Sequence, residues 1–219
     1  VTGGAPLTLP ILKRAREIGI PLTNDSQIFL EETPCRVIGI TGSAGKTTTT
    51  TLVGRMAQAA VALDVASGQQ RRAWIGGNIG SPLVAVLDEI APQDLAVMEL
   101  SSFQLELMTR SPHIAAVLNI TPNHLDRHGS MQVYTAAKAR ILEFQSPGDT
   151  AILGRDDPGA WSLAKQVRGN LVSFGLAMPQ SGLSQPDPGG FPGTFMQDGE
   201  LFFSRNGEVT WLMSRSTVG

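Results

Sequence analysis

The stretch GITGSAGKTTTT, from Gly39 to Thr50, carries the residues a phosphate-binding turn needs. Its small residues let successive backbone N–H groups turn inward where a helix begins, and the helix dipole also favours an anion there. Lys46 adds a mobile positive charge, and Thr47 adds a hydroxyl suited to Mg²⁺. The usual pattern G-x-x-x-x-G-K-S/T asks for glycine six positions before the lysine, and Ile40 stands there. The bland alternative is a glycine-rich turn with a solvated lysine. A β-branched run before it and a helical pattern after it favour a nucleotide site with a shortened loop.

Four further segments add chemistry. In LAVMELSSFQLE, Glu99 sits at the carboxyl end of an apolar strand, where open α/β sheets gather ligands and where a carboxylate serves Mg²⁺. By itself a strand-end Glu capping the next turn is the commoner case. In NITPNHLDRHG, His124 and Asp126 are candidates for a metal, His128 ranks lower because it lies further from the strand end, and His113 at the opposite end reads as structural. On the helix SMQVYTAAKARILEF the apolar stripe is Met131, Tyr134, Ile141 and Leu142. Lys138 falls on it, four residues after Tyr134 and three before Ile141, so it either snorkels to solvent or reaches the site desolvated or modified. In GGNIGSP, glycines bracket Asn78 and leave backbone and amide open to a ligand, or simply form a tight turn before a helix.

These residues need a frame of strands and helices. CRVIGI, LAVMEL, HIAAVLNI, DTAILG and NLVSFG read as short apolar strands, and helices are expected at LTLPILKRAREIGI, at TTTTLVGRMAQAA with Leu52, Val53 and Met56 facing inward, and at SPLVAVLDEI, SMQVYTAAKARILEF and PGAWSLAKQV. NDSQIFLEETP reads as a connector. The alternation predicts an α/β fold, a P-loop-type, mostly parallel sheet covered by helices on both faces. Past Gly175 comes MPQSGLSQPDPGGFPG, then strands joined at Asp198-Gly199 and Asn206-Gly207, which predict an antiparallel hairpin region near the C-terminus.

Composition sets the outer bounds. With 219 residues, 42% hydrophobic content and a net charge of -2, the chain has the make-up of a globular domain, and no Lys/Arg run points to nucleic acid or a membrane surface. No apolar run approaches the roughly 20 residues of a membrane-spanning helix, and a lone Cys35 cannot form an internal disulfide. The expected compartment is the cytoplasm and the expected state a monomer.

Together TGSAGKTTTT, GGNIGSP, MELSSFQLE, LNITPNHLDRHGSM and YTAAKARI resemble the Mur ligases, which also use a shortened loop, and ELSSFQLE points within them to the branch that adds D-glutamate to UDP-N-acetylmuramoyl-L-alanine. The resemblance implies ATP-dependent amide-bond formation through an acyl phosphate in peptidoglycan biosynthesis, with ATP and Mg²⁺ as cofactors. It implies an ATP site of Gly42, Ser43, Ala44, Gly45, Lys46, Thr47 and Thr48, with Lys46 on the phosphates. Thr47, Glu99, His124 and a carbamylated Lys138 would serve the metal, and Asn78, Ser101 and Gln104 would contact the muramoyl substrate; Lys46, His124 and Lys138 form the catalytic set.

By the same resemblance residues 1–34 are the end of an N-terminal UDP-binding domain and its linker, with Thr2-Gly3-Gly4 where the family has Ser-Pro-Gly. Residues 35–219 are a central ATP-binding domain, incomplete, and the C-terminal domain that would hold D-glutamate is absent. The chain opens on Val1 and closes on MSRSTVG, and a piece of a longer protein, inactive by itself, is expected. Two alternatives stay open: a sister ligase, such as a folylpolyglutamate synthase or the diaminopimelate-adding enzyme, and a nucleotide-binding fragment without catalysis.

Overall fold

Arg36–Thr41 forms β1, and its last five residues are buried or half-buried on both faces, as a strand between two others in a helix-covered sheet must be. It lies inside one nine-stranded sheet in a computed structural model that describes residues 1, 5–66, 68, 70–178 and 191–217. The other strands are β2 (Ala73–Gly77), β3 (Leu95–Glu99), β4 (Ile114–Val117), β5 (Thr150–Gly154), β6 (Asn170–Phe174), β7 (Gly193–Gln197), β8 (Glu200–Arg205) and β9 (Glu208–Ser214). Their order is β2-β3-β1-β4-β5-β6-β7-β8-β9. Every pair through β6–β7 is parallel, and β8 and β9 close the sheet antiparallel. The chain leaves β1 toward β2 on one side and later returns to β4 on the other, so the carboxyl end of β1 is a topological switch point, where such sheets open a crevice for ligands.

Helices α2 (Asp25–Glu32), α3 (Lys46–Ala66), α4 (Ser102–Leu105), α5 (Leu125–His128), α6 (Met131–Glu143) and α7 (Pro158–Trp161) lie around the sheet, with 3₁₀ turns at Leu83–Glu89 and Ser162–Gln166, and α1 (Pro10–Glu17) precedes them near the N-terminus. The larger core joins Phe29, Val37, Met98, Leu105, Val117, Tyr134, Ile141 and Leu153 into one cluster; a smaller one, around Ile40, Ala57 and Val97, packs against α3. The stripe expected on α6 is seen: Tyr134, Lys138, Ile141 and Leu142 are buried, and Met131 is half-buried against the larger core.

Several expectations need correction. The segment read as a connector contains α2, capped by the Asn24 side chain accepting from the Gln27 N–H at 2.8 Å. On α3 only Val53 of the three expected residues packs against the core, while Leu52 is 54% and Met56 70% exposed. The helix meets the sheet along Gly54, Ala57 and Val61 instead, small residues that allow close approach. The strand AWIGG was missed because its glycines look like turn punctuation. SPLVAVLDEI winds as a 3₁₀ turn rather than an α-helix. α1 buries none of its residues.

The hairpin reading holds. Asp198 and Asn206 adopt left-handed φ of 50° and 53°, each followed by glycine, and the turns join β7–β8 and β8–β9. Thr2-Gly3-Gly4 and most of the proline- and glycine-rich segment lie outside the described residues.

Ile141, at 0% exposure, anchors α6 against the sheet. Ile141→Ala is expected to cost about 2–5 kcal/mol in denaturant unfolding, by transfer loss plus a cavity. A smaller loss would mean that α6 settles into the gap.

Candidate functional site

The turn between β1 and α3 is braced before any ligand arrives. The Ser43 N–H donates to the Asn119 carbonyl at 3.0 Å, its hydroxyl donates to the Thr121 carbonyl at 2.9 Å, and the Tyr134 hydroxyl lies 3.0 Å from it. The Asn119 side chain accepts from the Ala44 N–H at 2.9 Å and donates to the Ala44 carbonyl at 3.2 Å. The loop thus borrows its shape from the segment after β4. Intrahelical bonding resumes at the Thr49 N–H, so the N–H groups of Lys46, Thr47 and Thr48 have no intrahelical carbonyl and suit an anion. Lys46 Nζ donates to the Gly42 carbonyl at 3.0 Å.

Across from the loop, Glu99 at the end of β3 is buried to 2% exposure. Its Oε2 accepts from the Thr47 hydroxyl and its Oε1 from the Asn78 amide, each at 2.8 Å. The Asn78 N–H also donates to the Glu99 carbonyl at 2.9 Å. This closeness rests on Gly77, whose φ is +99° and where a Cβ would collide with the Glu99 carbonyl. No ion pair reaches Glu99 among the described residues. A buried carboxylate held by neutral donors, beside a hydroxyl that opens the loop helix, fits a hard divalent cation with oxygen ligands such as Mg²⁺.

Lys138 does not snorkel. It is 1% exposed and donates from Nζ to the Gly42 carbonyl at 2.9 Å and to the Thr41 hydroxyl at 3.3 Å, with Nζ 4.8 Å from the Tyr134 ring centroid. Burial, helped by the charge of Lys46, lowers its pKa to about 7. At neutral pH a substantial fraction of this amine is uncharged.

The remaining candidates are placed as follows. His124 caps α5 with a left-handed φ of 51° and lies 5.3 Å from the Phe103 ring, exposed. Among the described residues it joins no group of three His, Cys, Asp or Glu able to hold a metal. Asp126 lies in the first turn of α5. Ser101 and Gln104 form a capping box on α4: Gln104 Oε1 accepts from both the Ser101 N–H and hydroxyl at 3.0 Å, while its Nε2 donates to Ser26 at 2.8 Å. Gln104 is buried and Ser101 half-buried. His113 accepts the Val37 N–H at 3.2 Å at the far end of the sheet, matching its structural reading.

The Mur ligase middle domain matches residues 40–187, the span that contains loop, Glu99, His124 and Lys138. The chain belongs to the Mur ligase family. Over 210 residues, 96% of this chain and 42% of the relative, it is 40% identical to a UDP-N-acetylmuramoylalanine--D-glutamate ligase of Symbiobacterium thermophilum. It is 44% identical over 175 residues to the enzyme of that name from Pelotomaculum thermopropionicum, covering 80% of this chain and 36% of the relative. The chain therefore spans about two fifths of the length of these relatives. The crystal structure of MurF from Acinetobacter baumannii shares the fold, with a TM-score of 0.53 and 22% identity over 84% of this chain and 39% of that one.

Within this Mur ligase domain, sequence reasoning missed Asn119, Thr41 and Tyr134 as the braces of the loop and of Lys138. The available signal was position: Thr41 ends the strand before the loop, and Asn119 follows the end of the neighbouring one.

The Lys138 shift has a thermodynamic signature. Below pH 7 both folded and unfolded chains carry the proton, and the cost of burying it is fully present. Between about 7 and 10.5 the unfolded chain binds a proton that the folded one lacks, so stability rises with pH. Relative to Lys138→Met, the wild-type chain in CO₂-free buffer is expected to gain up to about 1.4 kcal/mol per pH unit across that window. Unfolding titrations at several pH values check this, and parallel profiles would contradict it.

Proposed function

We propose that the protein to which this chain belongs is an ATP-dependent ligase. It joins D-glutamate to UDP-N-acetylmuramoyl-L-alanine in peptidoglycan biosynthesis, in the cytoplasm and as a monomer. Residues 1–34 would end the UDP-binding domain and 35–219 would supply the central ATP-binding domain, while D-glutamate is held by a C-terminal domain outside this sequence. The observation that carries the reading is the 2.8 Å pairing of Thr47 and buried Glu99 at the mouth of the loop, with the buried amine of Lys138 bonded to the loop carbonyl of Gly42. The 40% identity over 96% of the chain supports the choice of D-glutamate.

In this reading the carboxylate of the muramoyl substrate takes the γ-phosphoryl group of ATP. The amine of D-glutamate then attacks the acyl carbon, and amide, phosphate and a proton result. The Lys46 side chain would leave the Gly42 carbonyl to bind the ATP phosphates with the N–H groups of Lys46, Thr47 and Thr48, while those of Ser43 and Ala44 stay on Asn119. Thr47 and Glu99 would hold Mg²⁺, which when bound offsets charge on the phosphoryl oxygens, and the family resemblance would add His124, which joins no metal-holding group of three among the described residues. The neutral Lys138 amine would add CO₂ and release a proton, making the position an anion able to join the metal set. Asn78 and Ser101 contact the muramoyl substrate, with Gln104 bracing Ser101 from behind through the capping box.

Phosphate release by the full-length protein, measured with ATP, the muramoyl substrate and a panel of amino acids, tests the reading. Dependence on D-glutamate supports it, and release with diaminopimelate or L-glutamate instead assigns a sister ligase. In the same protein Lys46→Ala is expected to weaken ATP binding roughly tenfold to a hundredfold by calorimetry, since a charge-assisted contact of about 1.5–3 kcal/mol is removed. Lys138→Ala should abolish ligation with the fold intact, and a short carboxylic acid in the buffer should restore part of it by occupying the vacated anionic position. Full activity in the alanine variant would remove Lys138 from the mechanism.

A further inference from the structure

Beside the set described above, α4 and α5 are tied together by a chain of polar contacts, buried at Ser102 and His128 and half-buried at Glu106, that the proposed reaction does not use. Ser102, first residue of α4, has its Oγ 3.0 Å from Nε2 of His128, last residue of α5. Nδ1 of the same ring lies 3.1 Å from Oε1 of Glu106, which ends α4, and the imidazole is 1% exposed. The Glu106 contact has the length of an ion pair without the alignment of a hydrogen bond. Its negative charge favours the proton on Nδ1, which leaves Nε2 to accept from the Ser102 hydroxyl. Burial, with His124, Lys138 and Arg127 adding to it, lowers the His128 pKa and keeps the ring neutral; burial also raises the Glu106 carboxyl, against Arg127 and Arg16.

A second, independent contact crosses the same junction. The Phe103 ring of α4 stacks on His128 at 5.2 Å with planes 2° apart, lies 5.3 Å from His124, and has the Arg127 guanidinium 4.6 Å from its centroid. Three side chains of the turn that carries His124 therefore grip the residue two positions after Ser101. The ring stack alone would join the helices, and burying the polar groups of Ser102 and His128 costs free energy that an apolar contact would not. What the polar chain adds is direction, since a hydrogen bond holds two elements in one register while ring packing tolerates sliding. His124 needs such a hold, because its left-handed φ of 51° is unfavourable for a side chain with a Cβ.

We propose that Ser102, His128 and Glu106 form a positioning relay that locks α4 to α5 and so fixes Ser101 relative to His124. The relay rests on the ligase reading, in which Ser101 meets the muramoyl substrate and His124 the metal. None of the three relay groups touches the reacting atoms.

The test uses the full-length protein. His128→Phe keeps a ring beside Phe103 and removes both polar contacts, whereas His128→Gln keeps one donor and one acceptor. The Phe variant is expected to lose roughly tenfold to a hundredfold in kcat and to raise KM for the muramoyl substrate, with KM for ATP within about twofold and an unchanged unfolding midpoint. The Gln variant should recover most of the loss, and Ser102→Ala should add little to His128→Phe. If the Phe variant does not fold, Ser102→Ala alone, which removes one hydroxyl, should show the same pattern at about threefold to tenfold. Wild-type kinetics in His128→Phe or Ser102→Ala would overturn the relay. So would equal losses in the Phe and Gln variants that track a lowered midpoint, since those report packing alone. In both cases D-glutamate-dependent ligation by the wild-type protein leaves the ligase reading standing; its absence in the wild-type protein defeats that reading first and the relay with it.

Discussion

The Gly42 carbonyl accepts from two lysines, Lys46 at 3.0 Å and Lys138 at 2.9 Å, and much of the site follows from that meeting. Two ammonium groups on one oxygen repel each other, and one of them is buried. The cost is relieved by letting Lys138 lose its proton, which is the direction its pKa takes. The packed stripe of α6 buries Lys138 and so acts against the ordinary charge of a lysine, while the Thr41 hydroxyl and the Tyr134 ring offset only part of that cost. The structure keeps an amine where an apolar residue would pack more easily, so the position costs stability.

The Glu99 carboxylate is the counterpart. Its two oxygens are occupied by neutral donors from Thr47 and Asn78. Lys46 and Lys138 are both turned to the Gly42 carbonyl and neither makes an ion pair with it among the described residues. Charges of opposite sign thus sit on separate acceptors around one turn, each with a partner that a phosphate or a cation can displace without leaving a group unsatisfied. Exchange of this kind costs less than breaking a buried ion pair, which would strand a charge in the interior.

Much of this was legible in the sequence because it is local. A strand, a small-residue turn and a helix start within a dozen residues fix the loop, and helical spacing alone places Lys138 on an apolar face. The hairpin turns were legible for the same reason, since Asp-Gly and Asn-Gly carry their own backbone preference. Contacts distant in sequence were not legible. Ser43 and Thr121 are separated by 78 positions, and Lys138 and Gly42 by 96, so no periodicity announces either pair. α2 and β2 escaped for a different reason: their capping and glycine residues also punctuate loops, and only packing against the sheet resolves which role they play.

The site is assembled from the ends of three adjacent strands, and this explains why it tolerates short, irregular elements. β1, β3 and β4 are hydrogen-bonded neighbours in fixed parallel register, with Ile40 opposite Glu99 and Thr41 opposite Val117. That register sets the loop, the carboxylate and the segment bearing Asn119 at their mutual distances whatever the intervening helices do. α4 and α5, of four residues each, have no such support from the ladder. They lie beyond the strand ends, where a helix this short cannot sustain itself and side-chain contacts must supply the geometry. The capping box of Ser101 and Gln104, the stacking of Phe103 on His128 and its tilted contact with His124 are those contacts. The loop side of the site is thus held by backbone pairing and the α4–α5 side by side chains. On the second side one side chain can change without disturbing the sheet.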